Sequence, residues 1–185
     1  TALSGTFPAS AAQRRIYAVC AIQGNTTAYN LAINYKITGE FDITQLRRAC
    51  ATLVARHDQL RTSFHLDGAD LIQHVHKEVP DVVSQVLVSP QEAAVRLAAE
   101  PRPFDLSQAP LFRVEVLTVS DTEHYLQLDL HHIVGDQASL AVLTQDLINA
   151  WADHDLGVAP MPYPTCMAKI AELEASGALA RDVAF

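Results

Sequence analysis

The sequence predicts a mixed α/β fold, an α+β sandwich in which a mixed sheet packs against helices. Stretches alternating apolar and polar residues at every second position interleave with stretches whose apolar residues recur every third or fourth. Capping and turn residues stand at the boundaries between them. At 185 residues the chain suits one domain with a real core and is short for two.

Taken in order, residues 1–8 read as a leading loop ending at Pro8. Ser10 is placed as an N-cap for a first helix over Ala11–Gln23, closed by Gly24-Asn25. From Asn30 to Thr38, Leu31, Ile33, Tyr35 and Ile37 alternate with Asn30, Ala32, Asn34 and Lys36, as in a half-buried strand. Asp42 with Gln45 resembles a capping box, and Leu46, Cys50, Leu53 and Val54 then form one helical stripe reaching about His57. Leu60–Leu66 and Leu71–His76 read as strands around the turn Asp67-Gly68. His74 and His76 would share a strand face at the surface.

Val82–Val88 is a further strand candidate, followed by a short helix over Pro90–Ala99. Residues 101–110, with three prolines, read as loop. Leu111–Val119 and His124–His131 are strong strand signals joined by Ser120-Asp121-Thr122-Glu123. Asp136–Ala152 carries a helical apolar pattern, and a loop with Pro160, Pro162 and Pro164 leads to a last helix through Leu179.

Composition narrows the function classes. Hydrophobic residues make up 49% and charged residues 18%, a globular balance, and no apolar run suggests a membrane span. A net charge of −8 disfavours nucleic acid and anionic membranes as partners. Cys20, Cys50 and Cys166 form neither a CxxC nor an even set, so they read as small hydrophobes of a reducing, cytoplasmic compartment. Arg14-Arg15 before the apolar stretch Ile16–Ile22 imitates an export signal, but no A-x-A site follows. The chain opens on Thr1 rather than methionine, which reads as an excised or processed piece.

The densest chemical constellation is His131-His132-Ile133-Val134-Gly135-Asp136, where the best strand signal passes into a helix. Strand alternation would set Leu126, Leu128, Leu130 and His132 on one face and Tyr125, Gln127, Asp129 and His131 on the other. Histidines on opposite faces do not share a metal readily, and no Cys or Glu stands at ligand spacing, so no metal is expected. An imidazole in apolar surroundings stays neutral, which suits a base or hydrogen-bond acceptor. These residues alone leave open whether His132 is such a group or a satisfied core histidine, and whether Asp136 is only an N-cap. There is no G-x-S-x-G elbow and no phosphate-binding glycine loop, which argues against an acyl-enzyme and against nucleotide binding.

Four stretches in order resemble the motifs of the condensation domains of nonribosomal peptide synthetases. Ser10-Ala11-Ala12-Gln13-Arg14-Arg15-Ile16-Tyr17 resembles S-x-A-Q-x-R-[LM]-[WY], and Arg56-His57-Asp58-Gln59-Leu60-Arg61-Thr62-Ser63-Phe64 resembles R-H-E-x-L-R-T-x-F. Phe104-Asp105-Leu106 with Pro110-Leu111 and Arg113 is similar to the F-D-L…P-L-x-R stretch. His131 to Asp136 resembles H-H-x-x-x-D-G, with Gln137 in place of the glycine. Tyr163-Pro164-Thr165-Cys166-Met167-Ala168 resembles Y-x-D-[FY]-A-x-W only in part, since Thr165 replaces the aspartate.

The resemblance implies a chloramphenicol acetyltransferase-like lobe, the N-terminal one of two, with residues 1–185 lacking the C-terminal lobe. It implies amide-bond formation between a carrier-bound acyl or peptidyl thioester and the amine of a carrier-bound aminoacyl thioester. His132 would be the catalytic histidine, and His131, Gly135, Asp136 and Gln137 would support it. Asp136 would be held by Arg61, or alternatively by Arg113. The N-terminus of the following helix would help to stabilise the oxyanion. No cofactor would be bound intrinsically; substrates would arrive on phosphopantetheine arms. The partners implied are upstream and downstream carrier proteins, the second lobe and adjacent synthetase domains. The isolated chain would be inactive and self-associating. An epimerisation domain, or a degenerate domain that recruits a partner protein, remains an alternative reading, the latter because of Gln137.

Overall fold

The computed structural model describes residues 3–24 and 26–176. Asn25 and the segment 177–179, expected to help close the first helix and to end the last one, lie outside the described residues. The expected mixed α/β architecture is present, built as two sheets. A three-stranded antiparallel sheet runs in the order β1 (Gly5–Pro8), β4 (Asp70–Val75), β3 (Thr62–Asp67). A four-stranded sheet runs β2 (Asn30–Thr38), β7 (Glu123–His131), β6 (Phe112–Ser120), β5 (Val83–Leu87). β5 and β6 are parallel, and the crossover between them carries α3 (Pro90–Ala98). The other helices are α1 (Ala11–Gln23), α2 (Ile43–Arg56), α4 (Gln137–Trp151) and α5 (Tyr163–Ala175).

The core lies where the inner face of the four-stranded sheet meets α2 and α4. Leu126, Leu128 and Leu130 of β7 pack with Val114 and Val116 of β6, Leu46, Cys50 and Leu53 of α2, and Leu140, Leu143 and Leu147 of α4. The stripe expected on α2 is therefore its buried face. Full burial of one such leucine stabilises the fold by roughly 1.5–3 kcal/mol.

The leading segment departs from expectation. Residues 5–8 are not loop but an edge strand whose Gly5–Pro8 pair with Val75–Ile72. Pro8 is tolerated there because it stands on an edge. Ser10 caps α1 as expected, and the box is reciprocal: Gln13 N–H donates to Ser10 Oγ at 3.2 Å and Ser10 N–H to Gln13 Oε1 at 2.9 Å. The box expected at Asp42 is only half made. Asp42 accepts from the Thr44 and Gln45 amides, while the Gln45 side chain donates instead to Trp151 O at 2.7 Å.

The segment after α2 works as a staple. Arg56 Nε donates to Asp146 of α4 at 3.1 Å, and its other nitrogens reach the carbonyls of Leu156, Gly157 and Val158. His57 Nε2 meets the same Asp146 oxygen at 2.8 Å. Asp58 accepts the Tyr163 amide at 3.0 Å, at the start of α5. The chain leaving α4 is thereby fastened to α2.

His74 and His76 are not simply surface residues. Their rings meet edge to face at 4.4 Å, and His76 and His65 both reach the buried Ser63 hydroxyl, at 2.8 and 3.0 Å. Burial, with the neighbouring His74, His65 and Arg61, lowers the pKa of His76.

Candidate active site at the end of strand β7

Strand β7 pairs with β2 as far as Asn30 opposite His131, and there the strand ends. His132, Ile133 and Val134 form a turn, Gly135 follows, and α4 begins at Gln137. The expectation that His132 extends the apolar stripe of Leu126, Leu128 and Leu130 therefore fails, because strand alternation has stopped one residue earlier. The two histidines still differ as the functional reading requires. His131 is 2% exposed, whereas His132 is half-buried.

Backbone bonds hold the turn. The His132 amide donates to Tyr29 O at 2.8 Å, and the Val134 amide to His131 O at 3.0 Å. The His131 amide donates to Leu111 O at 3.0 Å, and the Ile133 amide to His131 Nδ1 at 3.1 Å. Tyr29 lies beside both imidazoles, with centroids 6.3 Å from His131 and 6.4 Å from His132. Phe104 meets the His131 ring edge-on at 6.0 Å. Desolvation in this nest, with His132 nearby, pulls the pKa of His131 down to about 4, so it is neutral near pH 7. Neither ring nitrogen of His132 is hydrogen-bonded to another described residue, which leaves a lone pair open to an incoming donor.

Gly135 is required by space rather than by its backbone angles. A Cβ there would stand 2.8 Å from Leu130 Cδ2 and 3.0 Å from Ser139 Cβ. The chain thus passes tightly over the core between His132 and α4.

Asp136 is the main correction. It is exposed and pairs with neither Arg61 nor Arg113. Its carboxylate caps α4, accepting from the Ser139 amide and hydroxyl, each at 2.8 Å, and those bonds lower its pKa. A carboxylate in water at a helix N-terminus needs no cation, because the Ser139 donors and the helix dipole already favour its charge. The same cap weakens the expected oxyanion role of this helix end, since it occupies one amide and offsets the dipole.

The two arginines serve elsewhere. Arg61, 3% exposed, donates to Val54 O at 3.0 Å, to Leu3 O at 3.2 Å and to His76 O, tying the last turn of α2 to the end of β4. Arg113 donates through Nε to Asp129 Oδ2 at 2.8 Å and also to Arg102 O, with its guanidinium 4.0 Å from the Phe104 ring centroid. Asn30 donates to both Asp129 oxygens at 3.1 and 3.0 Å. Arg113 therefore steadies Phe104, which in turn packs on His131. Gln137 is exposed and makes no hydrogen bond to His132.

Beside this corner lies a groove of about 600 Å³ lined by Tyr17, Cys20, Ala21, Phe104, Asp105 and Leu106. Cys20 Sγ is 3.9 Å from His131 Nε2. Sequence reasoning does not single out Tyr29, Cys20 or Asp129 as parts of this corner. Cys20 stands three residues after Tyr17 on one helical face, which is a signal within the sequence; Tyr29 needs the β2–β7 register. Among the described residues no group of three or more His, Cys, Asp or Glu is arranged to hold a metal ion, and no helix is long and apolar enough to cross a membrane.

Fold and corner together define a chloramphenicol acetyltransferase-like α/β fold with a pair of histidines where a central strand ends. The condensation domain family matches residues 3–185, and the chain belongs to that family. It is 36% identical over 154 residues to bacitracin synthase 3 of Bacillus licheniformis, covering 83% of this chain and 2% of that protein. Against tyrocidine synthase 2 of Brevibacillus parabrevis it is 35% identical over 157 residues, 85% of this chain and 4% of that protein. The chain thus spans a small fraction of the curated relatives it matches. Among solved structures, the complex of the X-domain and OxyB from teicoplanin biosynthesis superposes with a TM-score of 0.81 at 25% identity, over 96% of this chain and 41% of that one. The condensation domain from the monacolin K polyketide synthase MokA gives 0.85 at 19% identity, over all of this chain and 42% of that one, a likeness of fold.

Proposed function

We infer that this chain is the N-terminal lobe of a condensation domain. The two-lobed domain would join a carrier-bound acyl or peptidyl thioester to the amine of a carrier-bound aminoacyl thioester. The observation that carries this reading is His132: half-buried, fixed through its amide to Tyr29, and with both ring nitrogens without a partner among the described residues. The thioester is already activated and a neutral amine is already a nucleophile, so the site has mainly to align them and receive one proton. His132 accepts a hydrogen bond or proton from the attacking amine as the C–N bond forms. The C–S bond then breaks and the carrier thiolate is protonated as it leaves. His131, Gly135 and Asp136 position the turn. Carrier proteins with phosphopantetheine arms, the second lobe and adjacent synthetase domains are the partners this reading requires. Val142 and Ile148 of α4 and Leu173 of α5 are exposed apolar side chains, which supports self-association of the chain when alone.

The test is condensation by the two-lobed protein with loaded donor and acceptor carriers. His132→Ala should lower turnover by about 10²–10⁴-fold, the usual loss for a general base. Undiminished turnover would overturn the reading.

A second reading is supported by the likeness to the X-domain solved in complex with OxyB, and by Gln137: a domain that recruits another protein without catalysing. The exposure of Gln137, which makes no hydrogen bond to the His132 ring, favours activity. In the same assay Gln137→Gly should change turnover little or reduce it. A large gain would mean that the glutamine blocks the site and that the recruiting reading is the better one.

A further inference from the structure

The His131 ring has a fixed hydrogen-bonding direction. Its Nδ1 accepts the Ile133 amide at 3.1 Å, so that nitrogen carries no proton. A neutral imidazole has one proton, which must then sit on Nε2 and point toward the groove side. The only described group within hydrogen-bonding reach of Nε2 is Cys20 Sγ, at 3.9 Å. The surroundings are otherwise rings: Tyr29 at 6.3 Å and Phe104 at 6.0 Å between centroids. A buried N–H left without an acceptor is costly, so the weak sulfur acceptor has a role despite its distance.

We propose that Cys20 is a positioning residue for the condensation site: its sulfur accepts the Nε2–H of His131, which keeps Nδ1 as the acceptor of the Ile133 amide and so fixes the turn that presents His132. The chain of contacts runs from α1 to the end of β7 and into the 132–134 turn. Sulfur suits this position because it meets the N–H without attracting a second proton onto the ring, as a carboxylate would. The pair is not a nucleophile and base. Burial raises the Cys20 thiol above its ordinary pKa and keeps His131 neutral, so no thiolate–imidazolium pair forms.

The proposal rests on the condensation reading only for its effect on turnover; the tautomer is a property of the chain itself. The test compares Cys20→Ala, which removes the acceptor, with Cys20→Ser, which keeps an acceptor of similar size, in the two-lobed protein. Nitrogen NMR of labelled histidine should find the wild-type His131 proton on Nε2, and hydrogen exchange should find the Ile133 amide protected. Cys20→Ala should speed exchange of that amide several-fold and lower kcat several-fold with KM unchanged, and Cys20→Ser should restore both. A proton on Nδ1 in the wild type, or equal exchange and turnover in the two variants, would overturn the proposal. Loss of the condensation reading would appear separately, as full turnover in His132→Ala with the tautomer and exchange results intact.

Discussion

Between His132 and α4 the chain has room for a hydrogen at one position and a use for a carboxylate at the next. Gly135 lies against the fully buried Leu130 side chain and the Ser139 Cβ, either of which an added methyl would have to displace. Gly135→Ala should therefore destabilise the fold by about 1–3 kcal/mol, the usual cost of overpacking, as measured by urea unfolding. Asp136→Ala removes a cap and not a buried ion pair, so its cost should be about 1 kcal/mol. A loss of about 3–5 kcal/mol, the scale of a broken buried pair, would show that the carboxylate has a cationic partner after all. The contrast is legible only in three dimensions. The motif spells a histidine pair and an aspartate, but whether that aspartate meets an arginine or water depends on which way α4 starts.

At the scale of elements, the β6–β7 hairpin shows what sequence reading reaches and where it stops. Both strands and their connection are visible as alternation around Ser120–Glu123, and the structure places them there. Continuing the turn's own register would set residue 114 opposite Asp129. An irregularity between Thr118 and Ser120 shifts the pairing by one and brings Arg113 opposite Asp129 instead. No periodicity announces such a shift, so spacing alone hides the ion pair that steadies Phe104 and leaves Arg113 looking available to Asp136. Strand β1 escapes the sequence for a related reason: Gly5–Pro8 has too little alternation to stand alone and exists because β4 offers an edge. The helices α1, α2 and α4 are legible almost to the residue, since Ser10, Asp42 and Asp136 are local N-caps that need no partner strand, whereas α5, without a side-chain cap, ends at Ala175 and not at the expected Leu179. The Arg113–Asp129 pair is largely buried, with side-chain exposures of 23% and 9%. Arg113→Ala should cost roughly 3 kcal/mol by leaving the largely buried carboxylate without its cation and with Asn30 as its remaining donor, and adding Asp129→Leu should recover much of it. Unfolding free energies of the two single variants and the double variant check this.

For the whole molecule, the site is coupled to global stability through His131, because this imidazole is buried neutral between α1, β7 and the loop carrying Phe104. In the unfolded chain a histidine takes up its proton near pH 6.5; in the fold, desolvation first and His132 second lower that to about 4. The unfolded state therefore binds more protons throughout the interval between those values, and stability must rise with pH across it. The contribution is fully present above about pH 6.5, falls as pH drops, and has gone below the folded value near 4. Its size over that interval is up to roughly 3 kcal/mol, from the conversion of about 1.4 kcal/mol for each tenfold change in proton affinity. Carboxylates lose their own stabilising interactions in acid, so the decisive quantity is a difference between two proteins. His131→Asn keeps an acceptor for the Ile133 amide and removes the titrating ring. The variant should be less stable than the wild type at about pH 7.5, and the gap should shrink by about 2–3 kcal/mol on going to about pH 4, as read from urea unfolding at each pH. A gap that stays constant with pH would mean that His131 is protonated alike in both states, and that the nest of Tyr29, Phe104 and Cys20 does not hold it neutral.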